Sequence, residues 1–152
     1  MLFHYTYETV LGSVTFVEED GVLLAISMQP SEEGTLQETP LIKKAHQQIT
    51  EYLKGERKTF DLPLRMRGTD FQKRVWTALL DIPYGETRSY KQIAEAIHNP
   101  KGMRAVGMAN NRNPLLIVVP CHRVIGANGS LVGYGEGLEM KEFLLRLEKS
   151  LP

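Results

Sequence analysis

The hydrophobic pattern of this chain turns at Gly68 from a region led by two-residue alternation to one led by helical spacing, and that change constrains the fold more than any other feature of its 152 residues. A two-residue stripe and a 3.6-residue stripe cannot share one element, so the two halves must build different architectures. Over the first thirty residues apolar and polar positions alternate, with Val14 and Phe16, then Val22, Leu24 and Ile26, and turn residues stand at Gly12-Ser13 and Asp20-Gly21. This predicts a β-meander. Thr39-Pro40 supplies a cap and a first-turn proline for a helix with Leu41, Ala45, Ile49 and Leu53 on one face and Gly55 as its stop. Residues 1–64 therefore read as a small α/β domain.

Beyond Gly68, Thr69-x-x-Gln72 is a capping-box pattern, and Phe71, Val75, Trp76 and Leu79 form an apolar stripe that ends at Ile82-Pro83. Ser89-x-x-Gln92 opens a second, short helix with Ile93, Ala94 and Ile97, and Asn99-Pro100 opens a third that runs to about Asn110. Two short helices joined by a tight turn predict a helix-turn-helix. The apolar run Leu115–Val119, closed by Pro120, predicts a buried extended segment; Asn128-Gly129 marks a turn; Met140, Phe143, Leu144 and Leu147 mark a terminal amphipathic helix. The expected fold is an α/β N-terminal domain, a β-meander plus helix, followed over residues 68–152 by a mostly α-helical, winged-helix-like domain carrying the helix-turn-helix.

With 42% hydrophobic residues the chain is long enough to bury a real core. Its single cysteine, Cys121, excludes an intramolecular disulfide and cannot supply the thiolate set of a structural zinc site, which suits a reducing compartment. The opening MLFHYTYETV has no basic segment followed by an apolar run, and no stretch approaches membrane-spanning length, so a cytoplasmic protein without a membrane partner is expected. Net charge is zero but unevenly spread. Residues 1–64 carry five Lys/Arg against ten Asp/Glu, whereas residues 65–125 carry ten against four. The basic half holds the cysteine, as a polyanionic substrate would require; a neutral dipolar surface is the alternative that charge alone leaves open.

Residues 119–124 read VPCHRV. A lone cysteine is ordinarily an inert small hydrophobe, but a proline before it and a titratable base after it serve no packing purpose. Neighbours on an extended segment point to opposite faces, so His122 is expected to act on Cys121 through a water rather than directly. Only a few per cent of an ordinary thiol is ionised at neutral pH, so a relay that draws its proton away during attack makes it a nucleophile.

Residues 68–148 resemble the C-terminal domain of the O6-alkylguanine-DNA alkyltransferases, the methylated-DNA–protein-cysteine methyltransferases. The resemblance is carried by PCHRV at 120–124, RAVG at 104–107, Asn113-Pro114, Ser89-Tyr90 and a closing helix with Glu148, and the hairpin-rich first half fits the family's variable N-terminal domain. It implies that Cys121 accepts the alkyl group irreversibly, that His122 is the water-mediated base, that Glu148 orients His122, and that Asn113 supports this network. Tyr90 would contact the target nucleotide's phosphate and donate to the departing guanine. Arg104 would enter the duplex in place of the flipped base, with Ala105, Gly107, Ser89 and Arg123 also on the DNA side. Val124, Tyr134 and Gly135 would line the base pocket. Double-stranded DNA containing alkylated guanine is the implied partner of a monomeric protein, with no cofactor and no metal. Glu136 departs from the glycine more frequent in relatives there: either it points to water, as surface carboxylates do, or it narrows the pocket for large alkyl groups.

Three rival readings meet obstacles in the same residues. A lesion-binding relative without transfer activity would lack the acceptor, which is present. A transcription factor would need long side chains where Gly102, Ala105 and Ala109 stand. A cysteine hydrolase would turn over, whereas alkyl transfer stops after one event.

Overall fold

The computed structural model describes residues 1–131 and 133–149; residue 132 and residues 150–152, which fall in the expected second domain, lie outside the described residues. The chain divides into two compact units.

The first comprises Met1–Arg67 together with Pro114–Leu116. Strands β1 (Leu2–Thr9), β2 (Gly12–Glu19) and β3 (Val22–Ser27) pair antiparallel in sequence, and the short β4 (Thr35–Leu36) runs parallel beside β1, giving the order β3-β2-β1-β4. Asp20 and Gly21 both have positive φ, 50° and 85°, the two-residue left-handed turn that matches strand twist. The first turn falls on Val10-Leu11 rather than Gly12-Ser13, because Thr9 pairs directly with Gly12. The alternation expected along β2 also fails: every residue from Val14 to Glu18 is buried. Glu18 is accommodated by accepting hydrogen bonds from the Thr39 hydroxyl and the Gly21 amide.

Helix α1 (Pro40–Leu53) is capped by Thr39, whose hydroxyl accepts from the Ile42 amide. Its buried face is Ile42, Ala45, Ile49 and Tyr52, so the expected stripe is rotated and Leu41 and Leu53 fall at its margin. β3 would be a bare edge, but two distant segments satisfy its backbone. Leu23 exchanges hydrogen bonds with Pro63 and Arg65, and Ile26 with Pro114 and Leu116.

The second unit is Gly68–Asn113 with the described residues from Ile117 onward. Helices α2 (Asp70–Leu80) and α3 (Tyr90–Ala96) both open with complete capping boxes, Thr69 with Gln72 and Ser89 with Gln92. Helix α4 (Met103–Asn111) starts later than expected, since Asn99 to Lys101 form a turn that ends on Gly102. The three helices pack on one another through Val75, Trp76, Leu79, Ile93, Ala94, Val106 and Ala109. The Trp76 indole donates to the Ala109 carbonyl at 2.8 Å.

The run before Pro120 is buried as expected but is not extended. Residues 116–118 turn, and Ile117 has φ 70°. A β-branched residue there costs about 1–3 kcal/mol. Next come a 3₁₀ turn over Cys121–Arg123, strand β6 (Val124–Ile125) parallel to β5 (Arg88–Ser89), and helix α5 (Leu138–Leu147). Helix α5 buries Lys141, Leu144 and Leu145, while Phe143, expected inside, is 43% exposed.

Candidate active site

Cys121 opens the 3₁₀ turn and is 5% exposed. In a 3₁₀ turn successive side chains diverge by about 120°, so Cys121 and His122 face different surroundings, as the extended geometry would also have required. The pairing of β5 with β6 sets Arg88 opposite Val124 and Ser89 opposite Ile125, which brings the start of α3, and Tyr90 with it, beside the cysteine turn.

His122 is buried, and its Nε2 lies 2.7 Å from Glu148 Oε2 at the C-terminal cap of α5. Burial holds the imidazole below its ordinary pKa, and the Glu148 carboxylate opposes that shift. Since the Glu148 carboxylate accepts a hydrogen bond from Nε2–H, the Nδ1 lone pair is the basic one in neutral His122. Burial pushes the Cys121 thiol up, against hydrogen bonds from Asn113 and Tyr134 and the positive charge of Lys141. The resting group is therefore a thiol, and thiolate must be formed at the moment of attack.

Asn113 Nδ2 donates to the Val119 carbonyl at 2.7 Å, tying the residue to the turn that carries the acceptor. The Tyr90 hydroxyl donates to the Gly133 carbonyl at 2.9 Å, and burial pushes its pKa up to about 12. That bond ties α3 to the loop of Tyr134 and Gly135. Tyr134 is buried, and at Gly135 a Cβ would stand 2.7 Å from the Asn111 carbonyl, so only glycine lets the loop lie against α4. Val124 is fully buried, and Glu136 is half-buried, which raises its carboxyl pKa.

The expected DNA-side residues divide. Arg104 and Ala105 are exposed on α4, Gly107 is half-buried below Tyr90, and Ser89 is the α3 cap. Gly102, Ala105 and Ala109 do not form one surface: Ala109 faces inward and Gly102 caps the helix. Arg123 corrects the expectation outright. It is 6% exposed, with Nε 2.8 Å from Glu148 Oε1, Nη2 3.0 Å from Oε2, and Nη1 donating to the Ile82 carbonyl at 2.7 Å. A side chain buried and held through all three nitrogens inside the protein does not reach the surface to meet a phosphate.

Two site residues escaped the sequence reading. Lys141 is 0% exposed, with Nζ 5.8 Å from the Tyr90 ring centroid, and burial pushes its pKa down to about 8. Its signal was the spacing 141, 144, 145, an apolar helical face that begins with lysine. Asn110 is buried on α4 and donates to the Cys121 carbonyl at 3.2 Å. A groove of about 720 Å³ between α2 and α3, lined by Lys73, Arg74, Asp81 and Arg88 among others, contains none of Cys121, His122, Lys141 and Glu148, so cavity size does not locate the chemistry. Among the described residues no three His, Cys, Asp or Glu side chains gather as a metal would require, and no helix is long and apolar enough to cross a membrane.

Residues 70–150 match the sequence profile described as 6-O-methylguanine DNA methyltransferase, DNA binding domain, and residues 2–66 match its ribonuclease-like domain. The chain is 46% identical to the methylated-DNA–protein-cysteine methyltransferase of Methanosarcina acetivorans, over 98% of this chain and 99% of the relative. It is 48% identical to the constitutive enzyme of that name from Bacillus subtilis, over 98% and 96%. Among solved structures, Mycobacterium tuberculosis OGT in complex with DNA superposes with a TM-score of 0.90 at 47% identity, covering 97% of this chain and 93% of that one.

Proposed function

The chain belongs to the 6-O-methylguanine DNA methyltransferase family, and from that premise we propose that Cys121 takes the alkyl group of O6-alkylguanine in double-stranded DNA, permanently and once per molecule. The observation that carries this reading is the buried thiol at the head of the 3₁₀ turn, adjoining a His122–Glu148 pair 2.7 Å apart. A relative of near-equal length and 47% identity is known in complex with DNA, which supports the same partner here.

The reacting carbon sits on a base stacked inside a duplex, so the nucleotide must rotate out before a buried sulfur can meet it. Helices α3 and α4 act as the helix-turn-helix that docks on the DNA, with Arg104 filling the vacated stack; its flat guanidinium both stacks and hydrogen-bonds the orphaned base. Ser89, Ala105 and Gly107 lie along that surface, and Val124, Tyr134 and Gly135 border the flipped base. The protein works as a monomer in the cytoplasm, where its lone thiol stays reduced.

In the transfer the Cys121 proton passes through a water to His122 Nδ1, the sulfur forms a bond to the alkyl carbon, and the bond from that carbon to guanine O6 breaks. The departing guanine takes up a proton from Tyr90, which recovers one from the relay. Asn113 and Tyr134 hydrogen-bond the sulfur as its charge develops. No step returns the thioether to a thiol, so the protein is consumed.

The test is intact mass after incubation with excess methylated duplex. The protein gains one methyl group, on Cys121, and no more. Cys121→Ser gains none yet binds DNA with nearly unchanged affinity, because binding rests on the helical surface and chemistry on the sulfur. Methyl loss from DNA in that variant would overturn the assignment.

A further inference from the structure

The Glu148 carboxylate has two basic neighbours, His122 and Arg123, and only one of them has to be charged. Oε2 lies 2.7 Å from His122 Nε2 and 3.0 Å from Arg123 Nη2, and Oε1 lies 2.8 Å from Arg123 Nε and accepts from the Gly85 amide at 3.4 Å. All three side chains are buried. The guanidinium is further fixed by the Ile82 carbonyl, 2.7 Å from Nη1, and by the Tyr84 ring, whose centroid is 5.7 Å from Cζ. Building on the alkyl-transfer reading, we propose that Arg123 is the positioning residue of the proton relay: it holds Glu148 on His122 Nε2 and, by neutralising that carboxylate, keeps His122 an uncharged base.

Charge balance in the buried cluster gives Arg123 this role. With Arg123 present, the trio is neutral when His122 is neutral and carries a surplus positive charge when His122 is protonated. Without Arg123, the buried carboxylate is balanced only if His122 takes a proton. A single buried charge is expensive, so the pair would choose the imidazolium. An imidazolium cannot accept the Cys121 proton. The other groups around His122 act in the same sense as Arg123 or weakly. Lys141 on α5 adds positive charge that disfavours the imidazolium, Tyr84 and Cys121 are neutral in the resting site, and the face α2 buries is Val75, Trp76 and Leu79. Burial and the Arg123 charge both hold His122 below its ordinary pKa, with Glu148 alone pulling it upward. The fork geometry matters as well, because a bidentate guanidinium orients a carboxylate plane in a way an ammonium cannot.

The experiment is a pH series of single-turnover methyl transfer for the wild type, Arg123→Gln and Arg123→Lys, with the ¹⁵N-detected titration of His122 in each free protein. The wild-type imidazole stays neutral throughout the neutral range. In Arg123→Gln its titration moves up through the neutral range, and the rate falls about tenfold for each pH unit by which the assay lies below the new midpoint and recovers in alkali. Arg123→Lys keeps the wild-type pH profile at a lower rate. An Arg123→Gln deficit that is the same at every pH would make Arg123 a structural clamp and overturn the proposal. So would a wild-type His122 that is protonated at neutral pH, a result that needs no variant to fold. Failure of the wild type to gain a methyl group sinks the alkyl-transfer reading instead, and the His122 titration still decides the charge argument.

Discussion

A lysine without solvent exposure is a liability unless its charge is used, because desolvating an ammonium costs several kcal/mol on the order of the protein's whole stability. Lys141 is such a residue, and its charge is felt by Cys121. Replacing it with methionine keeps the volume and removes the cation, so the thiol rises further and less of it ionises at neutral pH. Lys141→Met should slow methyl transfer about tenfold at neutral pH. The deficit should close above about pH 8, where the wild-type lysine is itself neutral. Single-turnover rates across pH check this, and a deficit independent of pH would leave Lys141 a packing role alone. Neither Lys141 nor Arg123 was readable as a buried charge from its own neighbourhood. Arg123 stands beside a cysteine and a histidine, but its partner Glu148 is 25 residues away, and pairings at that distance leave no local pattern.

At the scale of the element, α4 presents Arg104 and Met108 to solvent one turn apart and keeps Val106 and Ala109 for the core. Arg104→Ala should slow repair of duplex far more than reaction with a free O6-alkylated base, since only the duplex needs a replacement for its extruded nucleotide. Competing rate measurements on the two substrates check this; equal losses would give Arg104 a structural role. Sequence reading succeeded where a signal was complete within a few residues. Both capping boxes formed, and the Asp20-Gly21 turn took the left-handed pair its residues favour. It erred where tertiary packing chose among similar residues. The buried face of α1 turned from Leu41 and Leu53 to Ile42 and Tyr52, and α5 left Phe143 outside in favour of Leu145. It failed entirely where the backbone leaves its easy conformations, since an apolar run such as Leu115–Val119 carries no hint that Ile117 will bend it at positive φ.

For the whole molecule, His122 and Lys141 both hold their protons less tightly folded than unfolded. The unfolded chain then binds more protons between each pair of values, so stability rises with pH across those intervals and is lost as pH falls through them. The His122 interval lies below 6.5, and the Lys141 interval begins at about 8. The raised Cys121 thiol works in the opposite direction above its ordinary value of 9.0. Melting temperature should therefore fall on acidification below about pH 6, and rise slightly between about pH 8 and 9 in the wild type but not in Lys141→Met, as thermal denaturation at matched ionic strength would show. Cys121 has one further consequence at this scale. An alkyl group fixed on a sulfur that is 5% exposed is shielded from the solvent and from other thiols. The marked fraction of a population of these molecules is then a cumulative log of the DNA damage it has met, erased only when old chains are degraded and new ones made, so the protein serves as a dosimeter of its own cell's exposure.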